Sequence, residues 1–381
     1  MLKNNMIKLD GMLMIGSAGA NVGKTELACT LIKKFNKSTD VVGIKVTTIR
    51  AKDGQCPRGG QGCGVCSSLD GDFHILEETD RNSQKDTARL LAAGAKRVFW
   101  LRVMKTHLKD GMTALLDIVK PDAVSICESN SLRQVVEPGL FLMVRRQEQE
   151  AYKNSALETE EYADRIIVTG PSGFDFDLNR IKLTDGKWTL QENSTAIIMA
   201  GGDGSRTGVD KSMLLIKDRP IIEHICDQLR GTFSQILIST QEVEKYAFLG
   251  CDCIPDKMPG QGPLMGIASA LEASANELNF VIACDIPHID IRFVRKMLAK
   301  AQAADMVIPT TGIEKYEPLF AIYNKSSLKA MNKVLSSGKR KISDVFGHCK
   351  VKYINLEAKQ FTNLNTMAEF EEFREEYDAE I

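Results

Sequence analysis

At 381 residues the chain is longer than one ordinary core organises, so two domains are expected. Its 43% hydrophobic and 26% charged content is that of a globular protein, and a net charge of −1 excludes a global basic field that would draw it to nucleic acid or an anionic membrane surface. The longest apolar runs, such as residues 12–15, are far shorter than the roughly 20 residues of a membrane helix, and the first ten residues carry no signal-peptide core. A cytoplasmic protein with mostly reduced cysteines is expected, bound to neither membrane nor nucleic acid.

In the first half, β-branched runs predict strands near 12–15, 41–46, 98–101, 122–127, 139–144 and 164–168. The first strand leads into AGANVGKT at 18–25, which fits [AG]-x4-G-K-[ST] with Ala18 at the first position. A helix follows over 24–35, with Leu27, Ala28, Leu31, Ile32 and Phe35 on one face. Strand, loop and helix together predict a phosphate cradle. Gly23 belongs to the loop, Lys24 reaches the β- and γ-phosphates, and Thr25 ligates Mg²⁺. Glu128 and Asp86 are the candidates for the acidic partner. No Asn-Lys-x-Asp motif reads the base. Three cysteines cluster as C-x6-C-x2-C at Cys56, Cys63 and Cys66. With His74 as a fourth ligand they suit Zn²⁺ or an iron–sulfur cluster; the alternative is a loop of free thiols. Most of the other cysteines (Cys29, Cys127, Cys226 and Cys284) sit singly in apolar runs.

The polar, turn-rich stretch 185–194 predicts the domain boundary, with domains over 1–190 and 194–381. In the second half, strands are expected near 196–199, 235–239, 279–283, 305–309, 319–323 and 351–356. Helix 220–230 should begin with Pro220 in its first turn and bury Ile221, Ile222, Ile225 and Leu229. Alternation of strand and helix predicts parallel sheets covered on both faces. After the first of these strands comes MAGGDGSRTGVDKSML, at 199–214, which is not a second P-loop. Gly201, Gly202 and Gly204 let backbone approach a ligand, and Arg206 and Lys211 supply two cations for a triphosphate. Asp285 ends a later strand, where a carboxylate can hold Mg²⁺. Between them, Gly260 and Gly262 allow a tight loop before a helix. His288 reads as a turn residue, and the acidic tail as a solvated helix face.

AGGDGSRTGVDK (200–211), IPDKMPGQGPLMGI (254–267), ACDIPHI (283–289), EPLFAIY (317–323) and FTNLNT (361–366) run in the order seen in molybdenum cofactor guanylyltransferases of the MobA type, which the second half resembles. The resemblance implies a Rossmann-like nucleotidyltransferase fold that transfers GMP from GTP to molybdopterin. It implies that Lys211 binds GTP phosphate, with Arg206 beside it, and that Asp285 binds Mg²⁺. Gly201 and Gly202 would line the guanine end, Asp256, Gly260 and Gly262 would belong to the same site, and Asn363 and Asn365 would help to hold the pterin. Thr207 stands where the family usually has Met. Related cytidylyltransferases usually carry Ala at the position of Gly201, so GTP is favoured over CTP. The alternatives are a cytidylyltransferase, a sugar-1-phosphate or other nucleoside-diphosphate transferase, and a GTP-dependent cofactor-delivery chaperone.

The first half is similar to the MobB-type GTP-binding adaptors through the P-loop, VVGIKVTTI (41–49) and KDTARLLAAGA (85–95). The resemblance implies a P-loop NTPase-like domain that binds GTP and helps to deliver the cofactor to a recipient molybdoenzyme or its chaperone. The cysteine segment and CESNSLR (127–133) are additions to that pattern. The expected fold class is therefore α/β, with two three-layer α/β/α domains.

Overall fold

The computed structural model describes residues 6–49, 69, 71–148, 153–201, 210–312, 315–356, 363–364 and 366–379. The chain divides into two compact units, Met1–Leu190 and Gln191–Ile381. Among the described residues no helix is long and apolar enough to cross a membrane.

The first unit runs β1 (Ile7–Ser17), α1 (Lys24–Phe35), β2 (Val42–Ile49), β3 (Phe73–Glu77), α2 (Asp86–Ala92), β4 (Arg97–Met104), α3 (Leu108–Val119), β5 (Ser125–Glu128), β6 (Val136–Arg146), α4 (Asn154–Leu157), β7 (Arg165–Gly170), β8 (Gly173–Phe174), β9 (Ile181–Thr184) and β10 (Lys187–Leu190). The sheet order is β3-β4-β2-β5-β1-β6-β7-β8, with parallel pairing except at its two edges, where β3 and β8 run antiparallel. β1 lies centrally and is buried on both faces along its second half, as a Leu-Met-Ile run requires. α1 spans the expected residues and buries the expected face. Its apolar side joins one core layer with Leu13, Ile15, Val98 and Ile126, while Met12, Met14, Phe99 and Met112 fill the other side of the sheet.

The turn-rich stretch at 185–194 is not unstructured. Asp185 and Gly186 take left-handed φ of 51° and 74°, making the tight turn of a β9–β10 hairpin. Two apolar residues in alternation, Trp188 and Leu190, then enter the core. Trp188 donates its indole N–H to the Gly11 carbonyl oxygen at 2.9 Å and meets Phe35 edge-on at 4.7 Å between ring centroids. So short a period-two signal among polar residues reads as loop until the rest of the core is in place.

The second unit runs β11 (Glu192–Met199), β12 (Leu215–Ile216), β13 (Arg219–Pro220), α5 (Ile221–Leu229), β14 (Phe233–Ser239), β15 (Asp252–Ile254), α6 (Pro263–Ala273), β16 (Leu278–Ala283), α7 (Ile291–Ala301), β17 (Met306–Gly312), β18 (Lys315–Tyr316), β19 (Phe320–Asn324), α8 (Leu328–Ser336), β20 (Val351–Asn355) and α9 (Met367–Ala379). Its sheet has the order β15-β14-β11-β16-β19-β17-β18, with β20 added on β17. β15, β14, β11 and β16 are parallel, but β19 is antiparallel to both β16 and β17. The expectation of purely parallel sheets is corrected to mixed ones. The link from β17 through β18 to β19 is too short for a crossover, and a short return enforces antiparallel pairing.

Two core layers sandwich this sheet, one built with α5 and α7 and the other with α6 and α8. Pro220 occupies the position before α5 rather than its first turn. The acidic tail is not wholly solvated, because Phe370 of α9 is buried in the α5–α7 layer.

Trp188→Ala removes a full aromatic side chain and a buried hydrogen bond, and should cost the first unit about 3–5 kcal/mol. Trp100 then reports that unit's denaturant transition by fluorescence. A loss under about 1 kcal/mol would mean that the hairpin is not part of the core.

Candidate functional site

In the second unit, register sets the site. Met199 pairs with Ser239 on one side and with Ala283 on the other, and Ser239 pairs with Ile254. Four parallel strands therefore end level, and the residues just beyond them line one edge: Asp256, Thr240, Gly201 and Asp285. The ladder runs one residue further, through Ala200 N–H to Ser239 O at 2.9 Å, Thr240 N–H to Ile254 O at 3.1 Å and Cys284 N–H to Met199 O at 3.2 Å. In open α/β sheets ligands bind at such an edge.

Lys211 follows Asp210, whose carboxylate caps the turn at 211–213 by accepting from Ser212 N–H at 3.0 Å. The Lys211 ammonium donates to the Leu364 carbonyl oxygen at 2.8 Å and lies 4.0 Å from Asp285 Oδ2. The Leu364 N–H donates to the Asp285 carbonyl oxygen at 2.9 Å. Both backbone groups of Leu364 thus tie the segment holding Asn363 to Lys211 and Asp285. Asp285 Oδ1 is buried without a hydrogen-bond partner among the described residues. Burial raises the Asp285 carboxyl above the usual aspartate range, with the charge of Lys211 opposing it. An orphaned buried carboxylate oxygen facing a ligand edge fits a hard divalent cation.

Glu317 is the position opposite Asp285 when the antiparallel β16–β19 register (Ile282 with Phe320, then Ala283 N–H to Leu319 O at 2.9 Å) is continued. Burial raises its carboxyl, and the charge of Asp285 adds to the effect. Gly260 and Gly262 have φ of 76° and 75°, and Pro263 starts α6 directly after them. Gly266 lets α6 press on the strand ends, because a Cβ there would come within 2.8 Å of Met199 Cε and Ser239 Oγ, and 3.1 Å of Asp256 Oδ1. At Gly201 a Cβ would meet nothing closer than 3.7 Å among the described residues, so their packing does not demand glycine there.

In the first unit, the P-loop ends with Gly23 at φ 90° and leads into α1. Thr25 Oγ1 donates to Glu128 Oε2 at 3.2 Å, and the Lys24 ammonium lies 3.6 Å from the same oxygen. Glu128 is fully buried at the end of β5, beside β1, and its Oε1 has no hydrogen-bond partner among the described residues. Asp86 begins α2 and is bonded to Lys45 of β2, which pairs with Glu128 in register. Burial alone would raise the Asp86 carboxyl, but Lys45, with Lys24 and Thr25 behind it, holds it below its ordinary value. Both acidic candidates thus meet at Thr25, a donor set that fits Mg²⁺. The segment CESNSLR pins this edge. Asn130 accepts from Ser17 N–H at 2.7 Å and donates to Ser17 O at 2.9 Å.

Gly202, Gly204, Arg206, Asn365, Cys56, Cys63 and Cys66 lie outside the described residues. His74 lies on β3, within hydrogen-bond distance of Arg102 (3.0 Å). Among the described residues no group of three or more His, Cys, Asp or Glu side chains could hold a metal ion alone. His288 is exposed. Gly266 and Glu317 fall within the stretches 254–267 and 317–323 quoted above, but the sequence singles out a role for neither. The first stands in an ordinary helical pattern, and the second becomes significant only through the β16–β19 register.

A family model described as MobA-like NTP transferase domain matches residues 196–351. The chain is 37% identical over 189 residues to a probable molybdenum cofactor guanylyltransferase of Carboxydothermus hydrogenoformans, covering 47% of this chain and 94% of the relative. Through its second half, the chain belongs to the MobA-like NTP transferase family. A second relative, a probable molybdenum cofactor guanylyltransferase of Pelotomaculum thermopropionicum, is 32% identical over 178 residues, covering 47% of this chain and 84% of its own. A molybdenum cofactor guanylyltransferase of Shewanella woodyi is 30% identical over 178 residues, covering 45% and 90%. As a MobA-like protein the chain is a nucleotidyltransferase.

The Asp285 shift carries a sign. A carboxyl raised by the fold favours folding fully below its unfolded pKa, and that contribution is lost as pH rises through the folded value. Ionised Asp285 therefore weakens the ligand-free fold near neutral pH. Asp285→Asn should raise the calorimetric Tm of ligand-free protein there, by an amount that shrinks as pH falls toward the ordinary aspartate range. A constant or reversed difference would contradict the burial argument.

Proposed function

We propose that the second unit transfers the GMP moiety of GTP to molybdopterin, forming molybdopterin guanine dinucleotide and pyrophosphate. The first unit binds a nucleotide at its P-loop and acts as an adaptor in delivering the cofactor to a recipient enzyme. The observation that carries the transferase reading is Lys211 set 4.0 Å from Asp285 at the carboxyl ends of level parallel strands. The names of the curated relatives supply the guanylyl group and the acceptor.

In this reading an oxygen of the molybdopterin phosphate forms a bond to the α-phosphorus of GTP. The bond from that phosphorus to the α–β bridging oxygen breaks, and pyrophosphate leaves with the electron pair. A phosphate monoester is already largely dianionic at neutral pH, its second pKa being about 6, so no strong base is needed. Lys211 neutralises charge on the phosphate oxygens, and alignment does the rest. Asp285 would hold Mg²⁺, which supplies further positive charge against the triphosphate. Asn363, the neighbour of Leu364, would help to hold the pterin. In the first unit, Lys24 and Thr25 would take the phosphates and Mg²⁺, with Glu128 and Asp86 around the ion.

Gly201 supports GTP over CTP. By the family resemblance Gly201 lines the guanine end, where the missing side chain favours a purine, and among the described residues no atom would come closer than 3.7 Å to a Cβ there. Gly201→Ala should therefore leave the Tm unchanged and lower kcat/KM for GTP more than for CTP. An equal loss for both nucleotides would remove the residue from specificity.

Lys211→Ala should lower kcat/KM for pyrophosphate release from GTP with molybdopterin by about 10²-fold or more. Lys24→Ala should leave that rate within about twofold, since it alters the other unit. Loss of guanylyl transfer in a folded Lys24→Ala protein would mean that the two units do not divide the work in this way.

A further inference from the structure

The chain on either side of residues 202–209 is gripped by side chains that no motif contains. Tyr246, in the short 3₁₀ segment Val243–Leu249, has no exposed surface. Its hydroxyl lies 2.8 Å from Ser212 Oγ and 3.3 Å from the Ala200 carbonyl oxygen. The single Ser212 hydroxyl proton goes to Asp210 Oδ1 at 2.7 Å, because a charged acceptor makes the stronger bond. The Tyr246 proton is then offered to both Ser212 Oγ and Ala200 O. One phenol thus joins Ala200, just past the end of β11, to Ser212.

The neighbouring Lys245 completes the grip. Its ammonium lies 2.5 Å from Asp210 Oδ2 and 2.7 Å from Glu242 Oε2. Both oxygens of Asp210 are thus held, one by Ser212 and one by Lys245. Burial alone would raise the Asp210 carboxyl, but these bonds hold it below its ordinary value, so it stays ionised near neutral pH. The next residue is Lys211, which reaches Leu364 and Asp285.

We propose that Tyr246 and Lys245 form a clamp that ties Ser212 to Ala200 and holds Asp210, and so fixes Lys211 for the nucleotide phosphates. They are positioning residues. The inference rests on the reading of this edge as a nucleotide site. The clamp is separable from folding, because Lys245 and Asp210 are 28% and 39% exposed, and an ion pair that open adds little to stability. Its energy is expressed instead in where Asp210, and with it Lys211, is held.

The test uses the full chain carrying Lys24→Ala, so that the P-loop does not contribute, and measures GTP binding with Mg²⁺ by calorimetry. In that background Tyr246→Phe should weaken GTP binding by about 3–10-fold, the effect of losing one shared hydrogen bond. Lys245→Gln should weaken it to a similar degree with an unchanged unfolding midpoint, and Lys245→Arg should restore most of the affinity. In steady-state transfer, KM should rise for GTP and not for molybdopterin. Unaltered GTP affinity in folded Lys245→Gln and Tyr246→Phe proteins would overturn the clamp while leaving the nucleotide site intact. A Lys24→Ala protein that binds no GTP at all would overturn the nucleotide reading of the edge, and the clamp with it.

Discussion

Lys211 and Asp285 face each other across 4.0 Å where β11 and β16 end, and the rest of the second unit follows from holding them there. A cation and a carboxylate that close would simply neutralise each other in water. Here burial keeps the carboxyl reluctant to ionise, while Lys211 also donates to a backbone carbonyl. Neither group is fully satisfied by the other, and Asp285 keeps one oxygen without a partner among the described residues. In the proposed reaction a triphosphate with its divalent ion would supply what each lacks: anionic oxygens for the ammonium and a cation for the carboxylate. The level strand ends, the glycines that admit backbone, and the close seat of α6 on Gly266 all serve that placement.

The first unit solves a related problem with different parts. Its loop ends at a left-handed Gly23 and presents Lys24 and Thr25 to a fully buried Glu128. In both units a lysine after a glycine loop meets a carboxylate at the end of a neighbouring parallel strand. The arrangement recurs because a central parallel strand must turn sharply at its carboxyl end, and glycine makes that turn without strain. Anion binding comes with it, since backbone N–H groups and helix starts gather at the same edge.

Much of this was legible in the sequence, because the signals were local. The P-loop, the 24–35 helix and the strands ending at Ser239 and Ala283 are contiguous patterns, and their chemistry lies within a few residues of each strand end. Asp285 and Lys211 were readable for that reason. The illegible parts depend on distant pairing. Tyr246 looks like an ordinary loop aromatic until its hydroxyl is seen against Ser212 and Ala200, 34 and 46 residues away. Glu317 gains meaning only from the β16–β19 register. The Trp188 hairpin was hidden because short strands among polar residues resemble loops until the core that receives their side chains is known. The strand over β19 was legible, but its antiparallel direction shows only in its pairing with β16 and β17. The family resemblance of the second half carried the substrate expectation further than residue chemistry alone, which reaches only a magnesium-dependent nucleotide site.

The most direct measurement is to incubate the full chain with molybdopterin, Mg²⁺ and either GTP or CTP, and to identify the pterin product by mass spectrometry. Molybdopterin guanine dinucleotide formed with one pyrophosphate per turnover, at a rate well above that of the cytosine product, is the expected result. No dinucleotide from either triphosphate, or a cytosine product formed faster, would contradict guanylyl transfer as the reaction of this site.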